Sequence, residues 1–268
     1  MAGRRVGSAC PITDHAPHVT GTGIGLILAQ AFAKNGAKVY ITSRRRDDLE
    51  KAAKYWGSPL HILTEGKLKV PVICDVTSKD SIRQLVDDIR KNETRVDVLV
   101  NNAGGLGTRE AGRQDESIQA LAEDLFNDDP AQWEDVYRTS VIGAFRVSAA
   151  FLPFLHAATT SRPSHTGSII NISSIAGITR TNFDRVKYSV SKAASVYLTM
   201  MLAQKFRSKT IRVRVNSIVP GVFPTEMAGE EENLERRGIP ADRPGRDEDI
   251  TRTALMLACN EYAYALFF

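Results

Sequence analysis

Apolar residues along this chain follow two alternating patterns. Short β-branched runs, "AKVYIT" (37–42), "LKVPVIC" (68–74), "VDVLV" (96–100), "GSIINI" (167–172) and "IRVRVNSIV" (211–219), include several that are apolar throughout, as strands buried on both faces must be. Between them, "IGLILAQAFAKNG", "SKDSIRQLVDDIRKN", "AQWEDVYRTSVIGAFRVSAAFLPFLHAA" and "YSVSKAASVYLTMMLAQKF" place apolar residues at three- and four-residue intervals, the period of a helix. The β-α-β-α alternation predicts an α/β fold, a doubly wound parallel sheet between two helical layers. Loops are expected at 104–118, 157–167 and 228–248. The stretch "SACPITDHAPHV" (8–19) stands where the first central strand should be, and its two prolines argue against regular pairing there.

With 268 residues, 43% of them hydrophobic, the chain can bury one large core, and a single domain over 1–268 is expected. The net charge of +4 is spread along the chain, with its densest cluster at Ser43-Arg44-Arg45-Arg46. That pattern argues against nucleic acid as a partner and suits a small anionic ligand. Cys10, Cys74 and Cys259 lack C-x-x-C spacing, which argues against a disulfide framework and against a metal site. Pro11, Asp14 and His15 interrupt any apolar signal core, and no run reads as membrane-spanning. A cytoplasmic protein with reduced thiols and no membrane partner is expected.

In an open α/β sheet, ligands bind beyond the carboxyl ends of the strands. The second run ends in Ser43-Arg44, the third in Asp75-Val76, the fourth in Asn101-Asn102-Ala103-Gly104 and the fifth in Ser173-Ser174. Tyr188 and Lys192 follow one helical turn apart. Ahead of them all, Gly21, Gly23, Ile24 and Gly25 open the first helix, whose amides and dipole suit a phosphate. Each feature alone has a plainer reading: a surface Tyr–Lys pair, a Ser-Ser turn, a solvated arginine face. Asn-Asn-Ala-Gly could be a turn. Asp75 could cap a helix, a task open equally to Thr77 or Ser78. Their succession at strand ends is what makes them a candidate site.

Thr20-Gly21 with Gly23-Ile24-Gly25, Asn101–Gly104, Ser173-Ser174 before Tyr188-Ser-Val-Ser-Lys192, and Pro220-Gly221 followed by Thr225 resemble, in order, the motif series of the short-chain dehydrogenase/reductases over about residues 18–260. The resemblance implies a Rossmann-type sheet, a nicotinamide dinucleotide, hydride exchange with a carbonyl or alcohol substrate, and a homo-oligomer. Overall the chain is similar to 3-oxoacyl reductase-like members. By the same resemblance, Tyr188 is the acid/base, Lys192 binds the nicotinamide ribose and lowers the tyrosine pKa, and Ser174 bonds the substrate oxygen. Asp75 and Val76 would hold the adenine, Asn101, Ala103 and Gly104 would flank the adenosine ribose, and Val222 and Thr225 would hold the carboxamide.

Elementary chemistry agrees with these roles. A phenol titrates near pH 10 and needs a neighbouring cation to exchange protons near neutrality. A hydroxyl such as Ser174 can donate to the oxygen on which charge develops. An acidic residue after the second strand would favour a free ribose 2′-hydroxyl; here Ser43 and Arg44 stand there, so NADP(H) is expected over NAD(H).

The chain departs from the family pattern at three points. Its glycine loop is two residues short or has Val19 where a glycine should stand, Ser140 stands where an asparagine serves the proton relay, and the chain stops at "AYALFF", where the family adds an edge strand. Two function classes follow: an NADP(H)-dependent oxidoreductase, or a related chain without turnover acting as a binding or oligomer partner. The loops at 104–118 and 222–245 are expected to shape the substrate pocket.

Overall fold

The computed structural model describes residues 10–13, 23–47, 49, 68–108, 117–161, 165–180, 185–225 and 241–266. Its strands are β1 (Cys10–Thr13), β2 (Val39–Ser43), β3 (Leu68–Ile73), β4 (Val98–Asn101), β5 (Gly167–Ile172) and β6 (Val213–Ile218). They form one parallel sheet in the order β3-β2-β1-β4-β5-β6, the doubly wound Rossmann arrangement. The helices are α1 (Ile24–Lys34), α2 (Lys79–Arg90), α3 (Ile118–Phe126), α4 (Pro130–Tyr137), α5 (Ala144–Ser161), α6 (Val186–Phe206) and α7 (Asp247–Cys259).

The continuous apolar runs are explained by two cores, one on each face of the sheet. Val39, Ile41, Val98, Val100, Ile170 and Ile172 point to a layer closed by Leu28 and Phe32 of α1 and Leu257 of α7. Tyr40, Leu99, Ile169, Val213 and Val215 point the other way, to Leu85 and Ile89 of α2, Phe151 and Leu155 of α5 and Leu202 of α6. Alternate residues of a strand face opposite sides, so strands covered on both carry apolar residues on each face.

Local signals set the helix ends. Gly36, at φ 88°, ends α1, and Ala37 N–H turns back to Phe32 O at 3.0 Å, a closure that favours glycine. Ser78, one of the caps open at the sequence level, accepts Ser81 N–H at 3.3 Å and starts α2. Asp75 instead accepts the Thr77 amide at 2.9 Å and the Thr77 hydroxyl at 2.8 Å.

Several expectations need correction. The proline-bearing stretch does form the central strand: β1 pairs with β2 along Cys10–Thr13, while its pairing with β4 is confined to Ile12 and Thr13, after the proline. The helix expected over 131–158 is broken by a π-turn at Arg138–Gly143 and continues to Ser161, into the expected 157–167 loop. The run Pro130–Ser161 is, by length and composition, apolar enough to cross a membrane, contrary to the sequence reading. Its inner side, Val136, Val147, Phe151, Phe154, Leu155 and Ala158, is buried in this fold. Helices α3 and α7 were not foreseen.

Beyond β6, where no edge strand was expected, residues 263–266 line its outer side. Ala265 N–H donates to Val215 O at 3.1 Å, Ser217 N–H to Leu266 O at 2.9 Å, and Asn216 Nδ2 to Ala263 O at 2.8 Å. Arg214, fully buried in β6, ties this end to α7. Its Nη1 donates to Leu257 O at 2.6 Å, Nη2 to Ala258 O at 2.9 Å and Nε to Thr166 Oγ1 at 2.7 Å. Those carbonyls belong to the last turn of α7, where helical partners run out and a cation is favoured. Burial lowers the guanidinium pKa to about 10.

Candidate active site

The carboxyl ends of β4, β5 and β6 bring the predicted polar residues together. After β5 the chain makes a short 3₁₀ turn, Ile175–Gly177. The two serines before it divide their work. Ser173 is buried and donates from Oγ to Lys192 O at 2.9 Å, which anchors the strand end to α6. Ser174 caps the turn, accepting Ala176 N–H at 3.2 Å, and is hydrogen-bonded to Tyr188. That amide occupies an acceptor site of the hydroxyl and leaves its O–H for the phenol.

Tyr188 lies in the first turn of α6. Burial raises its phenol above the ordinary value, while the Ser174 bond and the charge of Arg185 draw it down. The sequence assigned that electrostatic task to Lys192, and Arg185 went unnoticed because nothing in its spacing marks it. Lys192 is 5% exposed. Its Nζ lies 5.7 Å from the Tyr188 ring centroid and donates to Ile172 O at 2.9 Å. Burial lowers its pKa to about 8, so the cation still predominates at neutral pH.

Gly104 closes this corner. A Cβ there would stand 3.2 Å from Lys192 Nζ and 3.7 Å from Ser140 Oγ, so the loop after β4 brings both polar groups to one point. Ser140 is buried within the π-turn, and its Oγ has no hydrogen-bond partner among the described residues. A buried orphan hydroxyl beside an ammonium marks a place for a polar ligand or water. In the same turn a Cβ at Gly143 would come 2.9 Å from Val76 Cγ2. Glycine there lets the loop after β3 pack against the turn that carries Ser140.

The remaining predicted positions are distributed as follows. Gly23 is the N-cap of α1, with no side-chain cap and no acidic residue in the first turn, and Ile24 and Gly25 follow it; Gly21 lies outside the described residues. Ser43 is buried, and its Oγ accepts Arg45 N–H at 3.2 Å, while Arg44 is exposed beside it. The Asn101 side chain turns inward: Nδ2 donates to Ser148 Oγ at 2.9 Å and to Asn171 Oδ1 at 2.8 Å. Asn171 in turn donates to Thr199 Oγ1 of α6 at 2.8 Å. Asn101 Oδ1 is buried without a hydrogen-bond partner among the described residues. Ala103 is half-buried against the core below. After β6, Val222 O accepts Gly245 N–H at 2.8 Å, and Thr225 N–H donates to Phe223 O at 2.8 Å.

One cluster escaped the sequence reading. Lys187, adjacent to Tyr188, is fully buried and ion-paired with Asp128. No sequence pattern separates a buried lysine from an exposed one on a helix that carries both.

Comparison with known proteins bears on this geometry. The family model of the short chain dehydrogenases matches residues 18–236. The chain is 32% identical over 264 residues to the short-chain dehydrogenase/reductase PhomF' of Diaporthe leptostromiformis, covering 92% of this chain and 85% of that one. It is 32% identical over 270 residues to the 3-oxoacyl-[acyl-carrier-protein] reductase FabG of Thermotoga maritima, covering 97% and 94%. Among solved structures, the RhlG/NADP active-site complex of Pseudomonas aeruginosa superposes with a TM-score of 0.76 at 26% identity, over 97% of this chain and 93% of that one. A short-chain type dehydrogenase/reductase from Mycobacterium marinum gives 0.77 at 27% identity, over 97% and 92%.

Proposed function

Because the chain belongs to the short-chain dehydrogenase/reductase family and is an oxidoreductase acting on CH–OH or C=O groups, we propose that it uses NADP(H) and acts on a small-molecule carbonyl or alcohol through Ser174, Tyr188 and Lys192. One observation carries the reading: Ser174 hydrogen-bonds Tyr188 while the buried Lys192 Nζ lies 5.7 Å from the same ring.

The residues present fit a dinucleotide. Among the described residues the start of α1 has neither a side-chain cap nor an acidic residue, which suits its amides and dipole to a pyrophosphate. Arg44, exposed after β2, can grip a 2′-phosphate, and Ser43 sets no carboxylate against it. A relative described in complex with NADP supports this choice. Asp75 and Val76 would face the adenine, Val222 and Thr225 the carboxamide.

When bound, the cofactor supplies a hydride to the carbonyl carbon. Ser174 holds the substrate oxygen, and Tyr188 passes its phenolic proton to that oxygen as charge develops. The Lys192 cation stabilises the phenolate left behind and bonds the nicotinamide ribose. Ser140 Oγ and Lys192 Nζ hold a water beside Gly104 that returns a proton to the tyrosine. Serine is shorter than the asparagine usual in the family, so this return path relies on water. Self-association with a second copy belongs to the same reading, supported by exposed Phe145 on α5 and Val190, Tyr197 and Met201 on α6. The pairing of β1 and the seating of residues 263–266 on β6 favour this active reading over a chain without turnover.

The test is Tyr188→Phe, followed by NADPH fluorescence titration and carbonyl-dependent NADPH oxidation. Turnover falls about 10²–10⁴-fold, the usual worth of a general acid, and NADPH affinity stays nearly constant. A variant within a few-fold of the parent would sink the reading.

A further inference from the structure

Lys187 sits where a lysine is doubly disfavoured. Its side chain is 0% exposed, and it stands in the first turn of α6, the helix end whose free amides repel a cation. Asp128, in the link between α3 and α4, meets it with both oxygens, at 2.9 and 2.8 Å. Trp133 of α4 donates Nε1–H to Asp128 Oδ2 at 2.7 Å. Lys187 foremost, then Trp133, holds the Asp128 carboxyl below its usual range.

A third segment joins them. Arg185 donates from Nη1 to Gly107 O at 3.0 Å. Gly107 has φ 66°, and a Cβ there would come 3.2 Å from Lys187 Cδ and 3.1 Å from Val136 Cγ2. The lysine stem is therefore wedged between α4 and the loop after β4. Three residues earlier in that loop, Gly104 borders Lys192 and Ser140. The loop thus touches α6 on both sides of Tyr188.

We propose that the Asp128–Lys187 ion pair is a positioning latch for the catalytic tyrosine: it fixes the first turn of α6 against the loop after β4, and so aims the Tyr188 phenol at Ser174. This rests on the reading of Tyr188 as the acid. A two-pronged ion pair fixes direction as well as distance, whereas apolar side chains of equal volume fix only volume; buried pairs are weak evidence for stability, and fixing one arrangement is a role that some of them serve.

The test is the double substitution Asp128→Asn with Lys187→Met in the full chain. Asparagine keeps an acceptor for Trp133, and methionine keeps the lysine stem. Both the native pair and its replacement are neutral overall, so a shift of the phenol reports geometry rather than charge. The Tyr188 phenol is titrated by near-ultraviolet tyrosinate absorbance against Tyr188→Phe in each background, which needs no substrate. Loosening the Ser174 bond, which lowers the phenol pKa, should raise it measurably above the parent's. The kcat for carbonyl reduction should fall about tenfold, with Tm and NADPH affinity held. A folded double variant whose phenol and kcat match the parent overturns the latch, and so does failure of the double variant to fold, which would make the pair a folding element. A parent as active as its Tyr188→Phe variant overturns the functional reading instead, and the phenol titration still decides whether the pair positions Tyr188.

Discussion

Replacing Gly177 by alanine tests the claim that Ser174 and Tyr188 are held in register by direct backbone contact. Gly177 ends the 3₁₀ turn that begins after Ser174, and its α-carbon backs onto α6 at the lysine itself. A Cβ there would lie 2.6 Å from Lys192 C, 2.7 Å from Ala193 N and 2.8 Å from Lys192 O. Carbon contacts are comfortable at about 3.5–4.0 Å, so the turn must retreat by roughly 1 Å. None of the three atoms is the end of a side chain that could swing away; all belong to the helix backbone. Overpacking of this kind costs about 1–3 kcal/mol, which in a chain of this size lowers Tm by about 2–12 °C. Catalysis should suffer more. The serine rides on the turn and the tyrosine on the helix, and a displacement near 1 Å can cost about 10²-fold in rate. The assays are calorimetric Tm, NADPH fluorescence and kcat/KM. Gly105→Ala is the stability control, since none of the described residues lies within 4 Å of a Cβ there. If Gly177→Ala keeps the Tm of that control and a kcat/KM within a few-fold of the parent, the packing argument is wrong.

Two further outcomes are expected. Arg44→Ala should remove most of the preference for NADPH over NADH, because a charge-assisted bond to phosphate contributes about 1.5–3 kcal/mol, roughly ten- to a hundredfold in affinity; equal affinities in the parent refute the assignment. Lys192, with a folded pKa of about 8 against an ordinary 10.5, binds fewer protons folded than unfolded between those values, so its contribution to stability rises with pH through that window and is lost below it, by up to about 3 kcal/mol. Thermal unfolding of the ligand-free parent and of Lys192→Met across pH 7–10 should show the parent gaining on the variant as pH rises, and parallel curves would exclude the effect.

Much of this protein is legible in one dimension. Several strand runs are apolar throughout and call for cover on both faces, and their alternation with helical periods points to parallel strands between two helical layers. Polar residues at the strand ends then have one common destination, because parallel strands all finish on the same edge. Ser173-Ser174 and the helix start at Gly23 stand out for that reason, whereas Tyr188 and Lys192 stand out by their spacing of one helical turn and by the family resemblance. The resemblance singled out Ser174 of the pair, but the task of Ser173, whose hydroxyl donates to the backbone of α6 at Lys192, depends on how the 3₁₀ turn seats against that helix.

Other features were decided only by packing. Pro11 argues against a central strand locally, yet four residues suffice when neighbours on both sides supply the sheet and the β4 contacts begin after the proline. The π-turn at Arg138–Gly143 interrupts a sequence of unbroken helical period, and the close approach of Val76 to Gly143 is visible only in the folded chain. Arg214 and Lys187 read as ordinary cations in a strand and a helix. Their burial follows from distant partners, the α7 carbonyls at Leu257 and Ala258 and the Asp128 carboxylate, brought near by the chain's path. Sequence patterns carry local period and the sign of each charge. What neutralises a given charge, and what a given hydroxyl faces, is fixed by contacts between residues tens of positions apart, so only the tertiary structure decides it.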